Sequence, residues 1–134
     1  MAPMLIDTCI WSLALRGKTP RDKAITAKLT AVINAGSAQL IGPIRQELLS
    51  GYSDRNQFLK LKAQLEHFPE ESVVGEDYIA AAEFSNHCRI NGVQGSHTDF
   101  LICAVAARLE VEIFTTDKDF ERYALHLPID LYGN

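Results

Sequence analysis

A chain of 134 residues has room for one domain with a buried core and too little for two. Its 47% hydrophobic and 22% charged residues are those of an ordinary globular protein, and no apolar run nears the roughly 18 residues of a membrane helix. A net charge of −4 argues against holding nucleic acid by a bulk positive field, but not against reaching phosphates through bound cations.

The start, MAPMLID, lacks the basic opening of a signal peptide, so a cytoplasmic protein is expected. Cys9, Cys88 and Cys103 are odd in number and have no CxxC spacing, which fits small buried hydrophobes in a reducing compartment. In chain order, Pro3 to Ile6 reads as a buried parallel strand ending at Asp7, and Cys9 to Leu15 as a helix broken by the basic loop Arg16 to Pro20. Asp22 to Ala35 has helical spacing at Ile25, Leu29, Val32 and Ile33 and is closed by Gly36. Gln39 to Gly42 is a minimal strand, and Pro43 opens a helix ended by Gly51. Glu47 lies one turn into that helix, where its side chain leans back toward the strand end.

Asp54 to Phe68 is helical, with Phe58, Leu61 and Leu65 on one face, and Pro69 stops it. Val73-Val74 is expected as a third strand, followed by a helix from Glu76 to Ile90 with Ile79, Ala82, Phe84 and Cys88 inward. Ser96, His97 and Thr98 offer N-cap chemistry, which puts Asp99 in the first turn of an almost wholly apolar helix. Such a helix must be covered on both sides. Val111 to Thr115 reads as a strand with Asp117 just past its end, then a short helix over DFERYAL and a last strand over IDLY. Alternating strands and helices predict one α/β domain over residues 1–134, its central sheet mainly parallel and flanked by helices.

That topology sends Asp7, Glu47, Asp99 and Asp117 to the carboxyl edge of one sheet, where such folds place their ligands. Converging carboxylates repel unless some are neutralised or share a cation. A hard divalent ion, Mg²⁺ or Mn²⁺, takes oxygen ligands, polarises a phosphoryl oxygen and lowers the pKa of bound water. Each acid taken singly could equally be a cap or a surface residue. Asp119 is a fifth acid that could bind a second ion, although first-turn acids more commonly compensate the helix dipole, and His97 could touch a phosphate backbone or relay a proton, although a capping histidine is the commoner outcome. His67, His87 and His126 show no zinc spacing. Arg16, Lys18, Arg21 and Lys23 form the best basic cluster, either a guide for a phosphate backbone or a solvated charged loop.

The segments LIDT, IRQELLSG, GSHTDFLICAVA and IFTTDKDFERY, in this order, resemble the PIN-domain ribonucleases, specifically the VapC-like toxins of toxin–antitoxin pairs. The resemblance spans nearly the whole chain. It implies a PIN-like three-layer sandwich with sheet order 3-2-1-4-5 and a Mg²⁺-dependent endoribonuclease that leaves a 5′-phosphate. Its acids match Asp7, Glu47, Asp99 and Asp117, with Asp7 and Asp99 as direct metal ligands and Glu47 and Asp117 acting directly or through water. Thr115 matches a hydroxyl position that orients an acid or a phosphate. It also implies a homodimer and a VapB-like antitoxin that wraps the toxin, with Leu13, Leu15, Leu48, Leu49, Phe58 and Leu61 as candidates for the groove taking its helix.

Rival readings are a receiver-like regulatory domain, a phosphatase of the haloacid-dehalogenase type, and a non-catalytic PIN fold that only binds RNA. The receiver wants paired acids in the first loop, the phosphatase an Asp where Cys9 stands, and the full set of matched acids weighs against the binding-only fold.

Overall fold

Met4, Leu5 and Ile6 are apolar in succession, a pattern that only a strand covered on both faces can bury. In the computed structural model, which describes Met1 to Gly133, they form β1 (Met4–Ile6), fully buried at the centre of a parallel sheet. The indole of Trp11 donates to Ile6 O at 3.1 Å and ties the following helix, α1 (Thr8–Arg16), to the strand. Thr19 caps α2 (Pro20–Asn34), with Pro20 at the first helical position and the Asp22 carboxylate returning to the Thr19 amide. β2 (Ala38–Ile41) pairs with β1 and runs into α3 (Gly42–Ser50) and then α4 (Arg55–Leu65).

The third strand differs from expectation. β3 (Glu70–Glu71) precedes Val73-Val74, because the chain joins β2 as soon as it leaves α4, with Leu40 N–H donating to Pro69 O. Val73 packs against the core, and Val74 is instead the residue before α5 (Gly75–Ile90). The inward face of α5 is Asp77, Ala81, Phe84 and Cys88, whereas Ile79 and Ala82 face solvent, contrary to the apolar spacing. Asp77 sets that phase: its carboxylate is buried against Arg108, which donates at 2.8 Å through Nε and 3.0 Å through NH2.

α6 (His97–Leu109) buries Phe100 and every residue from Ile102 to Ala106, covered by α5 on one side and by β1 and β4 on the other. Glu110, in the left-handed region at φ 56°, turns the chain sharply into β4 (Glu112–Phe114), which pairs with β1. α7 (Asp119–Ala124) follows. The sheet order is β3-β2-β1-β4. The expected fifth strand is reduced to a single parallel bridge, Leu131 beside Ile113, in the position the 3-2-1-4-5 order gives it. A receiver domain would place β1 between β2 and β3; here it lies between β2 and β4. Helices on both sides of a parallel sheet make the expected α/β sandwich, and no described helix is long and apolar enough to cross a membrane.

Candidate active site

The register of β1 on β4 pairs Ile6 with Phe114, and the ladder runs one bond further, from Asp7 N–H to Phe114 O at 2.9 Å. Asp7 and Thr115 therefore leave the sheet side by side. Thr115 Oγ1 donates to Asp7 Oδ2 at 2.8 Å and accepts the Asp117 amide at 3.0 Å, so one hydroxyl spaces two acids. Asp7 Oδ1 accepts the Thr8 amide at 2.8 Å as the N-cap of α1, and the Cys9 thiol approaches Oδ2 at 3.4 Å. Burial pushes the Asp7 carboxyl above its usual range, with the hydrogen bonds from Thr115, Thr8 and Cys9 opposing and the charge of Asp99 reinforcing.

Asp99 enters from the first turn of α6, its amide donating to Ser96 Oγ at 3.1 Å. Its Oδ2 accepts the hydroxyl of Tyr123 at 2.7 Å. Desolvation raises its affinity for a proton, Tyr123 and Ser96 lower it, and the charges of Asp117 and Glu47 raise it again. Asp117 Oδ1 accepts the Asp119 amide at 2.9 Å, which folds the start of α7 back onto the site. Glu47 is exposed on α3, and the Thr8 hydroxyl donates to its Oε1 at 2.8 Å.

All the acids expected from the sequence reach the same sheet edge. The tightest group is Asp99, Asp117 and Asp119, with one carboxylate oxygen from each within 4.8 Å of the others. Asp119 thus faces the site, while also pairing with Arg122 at 3.0 Å. Asp7 and Glu47 flank this group and are coupled to it through Asp99. The donors of the group are carboxylate oxygens, the ligand chemistry of a hard divalent cation, and their mutual repulsion is what such a cation relieves. Mg²⁺ or Mn²⁺ fits the residues present.

His97 stays outside the acid group, exposed along a cleft between α5 and α6 with Tyr78, Arg89 and Leu101. Of the basic cluster, Arg16 lies at the far end of α1 from Asp7, held by Gly51 O at 2.9 Å and stacked over Tyr52 at 4.4 Å. That end is about 13 Å along the helix from the acids. Thr8 and Tyr123 were not anticipated. Tyr123 carried a signal: buried tyrosines need a partner for the hydroxyl, and Phe120 and Tyr123 share the buried face of the helix in which TTDKDF ends.

An apolar cavity of about 340 Å³ opens between α1, α2 and α4, lined by Trp11, Leu15, Leu29, Ile33, Leu61 and Phe68. Among the residues expected to form such a groove, Leu15 and Leu61 line it; Leu48 is in the core, and Leu49 and Phe58 border a separate hollow beside Arg45.

No curated protein sequence matches the chain. Among solved structures, FitAcB from Neisseria gonorrhoeae superposes with a TM-score of 0.77 at 18% identity, covering 97% of this chain and 96% of that one. VapBC2 from Rickettsia felis, bound to a DNA fragment from its promoter, gives 0.75 at 16% identity over 96% of each chain. DNA-bound VapBC from Salmonella typhimurium gives 0.73 at 15% identity, covering 98% of this chain and 97% of that one. At such identities the likeness establishes a shared fold. The family itself is fixed by sequence, since the model of the PIN domain, generally a nuclease fold, matches residues 4–125, from the first strand through α7, and the chain belongs to that family.

Proposed function

We propose that this chain is a divalent-cation-dependent endoribonuclease, the toxin of a toxin–antitoxin pair. The observation that carries the reading is the convergence of Asp99, Asp117 and Asp119 within 4.8 Å, with Asp7 held beside them by Thr115. When bound, Mg²⁺ or Mn²⁺ supplies a polarised phosphoryl oxygen and a water of lowered pKa. Asp7, Asp99 and Asp117 would hold the cation, with Asp119 added to them by the geometry of the acid group. Glu47, exposed and fixed by Thr8, is placed to take the proton of the attacking water, a role that Asp117 could share. The water oxygen bonds to phosphorus, the bond to the 3′ oxygen breaks, that oxygen takes a proton from solvent, and the products are a 5′-phosphate and a 3′-hydroxyl. Thr115 keeps Asp7 and Asp117 at fixed spacing while this happens.

The partner reading rests on the groove and on the neighbours, two of which are VapBC complexes. An antitoxin helix with apolar residues at i, i+3 and i+4 would fill the cavity between α1, α2 and α4, and a homodimer belongs to the same proposal. Calorimetry of Mg²⁺ binding to wild type and Asp99→Asn, with a digest of total RNA on the same samples, tests the activity. Loss of both binding and cleavage in the variant is expected. Cleavage that persists in Asp99→Asn would sink the mechanism, and a wild type that binds no divalent cation would make the acids structural.

A further inference from the structure

Asp22, Asp77 and Asp99 each occupy the third position of a helix, where the usual partner of the carboxylate is the amide of the N-cap residue. The first two conform. Asp22 Oδ2 accepts the Thr19 amide at 3.3 Å, and Asp77 Oδ2 accepts the Val74 amide at 2.9 Å. Asp99 does not. Ser96 Oγ accepts the Asp99 amide in the ordinary way, but among the described residues the Asp99 carboxylate takes no bond from the Ser96 amide; only the Ser96 hydroxyl is near it on that side, and its Oδ2 takes the Tyr123 hydroxyl at 2.7 Å.

Tyr123 is fixed well enough to win that competition. It is fully buried, with its ring 5.1 Å from each of Phe100 and Phe120, so the hydroxyl has little freedom to turn elsewhere. Gly95 gives it room: a Cβ there would fall 2.7 Å from Tyr123 Cζ. The backbone of Gly95 is not in the left-handed region, so the glycine answers to the space required by the tyrosine and not to a turn.

We propose that Tyr123, seated against Gly95, is a positioning residue that draws Asp99 out of its capping role and aims it into the acid group as a ligand for a divalent cation. The inference rests on the reading of the acids as a cation site and adds what makes this acid available to it. A helix-start aspartate is a self-satisfied cap by default. Here an aromatic hydroxyl from α7 occupies one oxygen and holds the carboxylate facing Asp117 and Asp119, with the remaining lone pairs free for a cation.

Mn²⁺ titration by calorimetry, without RNA, on wild type, Tyr123→Phe, Gly95→Ala and Asp99→Asn tests this, alongside amide hydrogen exchange at Ser96 in the cation-free proteins. Tyr123→Phe keeps the ring and loses only the hydroxyl. Its Mn²⁺ affinity is expected to fall by about tenfold or more. Its Ser96 amide should exchange more slowly, because the released carboxylate turns back to cap it. Gly95→Ala should move both readings the same way, by displacing the hydroxyl. Wild-type affinity with unchanged Ser96 exchange in Tyr123→Phe overturns the proposal, as does weaker binding with faster Ser96 exchange, which means mere loosening. In either case binding by wild type and not by Asp99→Asn leaves the cation reading standing. A wild type that binds no Mn²⁺ overturns both.

Discussion

Thr115 Oγ1 stands 2.8 Å from Asp7 Oδ2, a contact between residues 108 apart in sequence that the parallel register of β1 on β4 makes unavoidable. Replacing Thr115 by valine keeps the shape, strips Asp7 Oδ2 of its hydroxyl donor and leaves the Asp117 amide without its acceptor. RNA cleavage by Thr115→Val is expected to drop by about 10- to 100-fold, whereas Thr115→Ser retains most of it. Single-turnover rates at saturating Mg²⁺ check this.

Asp77 and Arg108 clamp α5 to α6, with the Asp77 side chain 2% exposed and that of Arg108 34%. The Arg108 hydrogen bonds hold the Asp77 carboxyl below its ordinary value of 3.8, against the opposing effect of burial. A carboxyl depressed in the folded state stabilises the fold above the unfolded pKa, and this stability is lost as pH falls through the folded pKa. Asp77→Asn should therefore lower Tm by a few degrees at neutral pH, solvent around Arg108 limiting the effect. As pH falls below 3.8 and through the depressed folded pKa, the gap between variant and wild type should close. Thermal melts across pH 2 to 7 measure it.

Asp99→Asn should separate stability from activity. Without cation, removing one carboxylate relieves the repulsion from Asp117 and Glu47, and the variant should melt about 2–4 °C above wild type. Mn²⁺ at a hundred times its Kd should stabilise wild type by about 2.7 kcal/mol and the variant hardly at all. Differential scanning calorimetry with chelator and with Mn²⁺ gives both numbers.

Leu15 is 43% exposed at the mouth of the groove between α1, α2 and α4, remote from the acids. Leu15→Glu places a charge where an apolar helix would pack. Co-purification with the cognate antitoxin should be lost while RNA cleavage by the isolated protein is unchanged. A complex that survives Leu15→Glu would move the antitoxin elsewhere.

The placement of Asp7, Asp99 and Asp117 was legible from sequence because each follows a strand or opens a helix whose apolar pattern is plain, as Ile6 before Asp7 and Phe100 after Asp99 illustrate, and Glu47 was reached from its position one turn past Pro43. β3 was misplaced because Glu70 and Glu71 are held beside β2 by backbone bonds and by polar side-chain contacts to Arg45 and Gln39, with none of the β-branched character of Val73-Val74. The phase of α5 was misjudged for a related reason. Its anchor is the buried Asp77, and apolar counting cannot see a polar residue as inward. Asp119 was discounted as a dipole-compensating acid, yet the Asp117–Asp119 turn folds it toward Asp99. Thr8 and Tyr123 act through partners 39 and 24 residues away, and such pairings exist only once the sheet and helices are assembled.

The hydroxyl on Asp99 comes from a residue 24 positions later in the chain, and that bears on the order of synthesis. During translation Asp7, Glu47 and Asp99 are all made before Tyr123, so a nascent chain carries the acids for a time without the group that holds Asp99 in line. Because a domain folds as a unit, the acid edge would be completed only after α7 has emerged and docked, a delay set by nothing more than the order of residues.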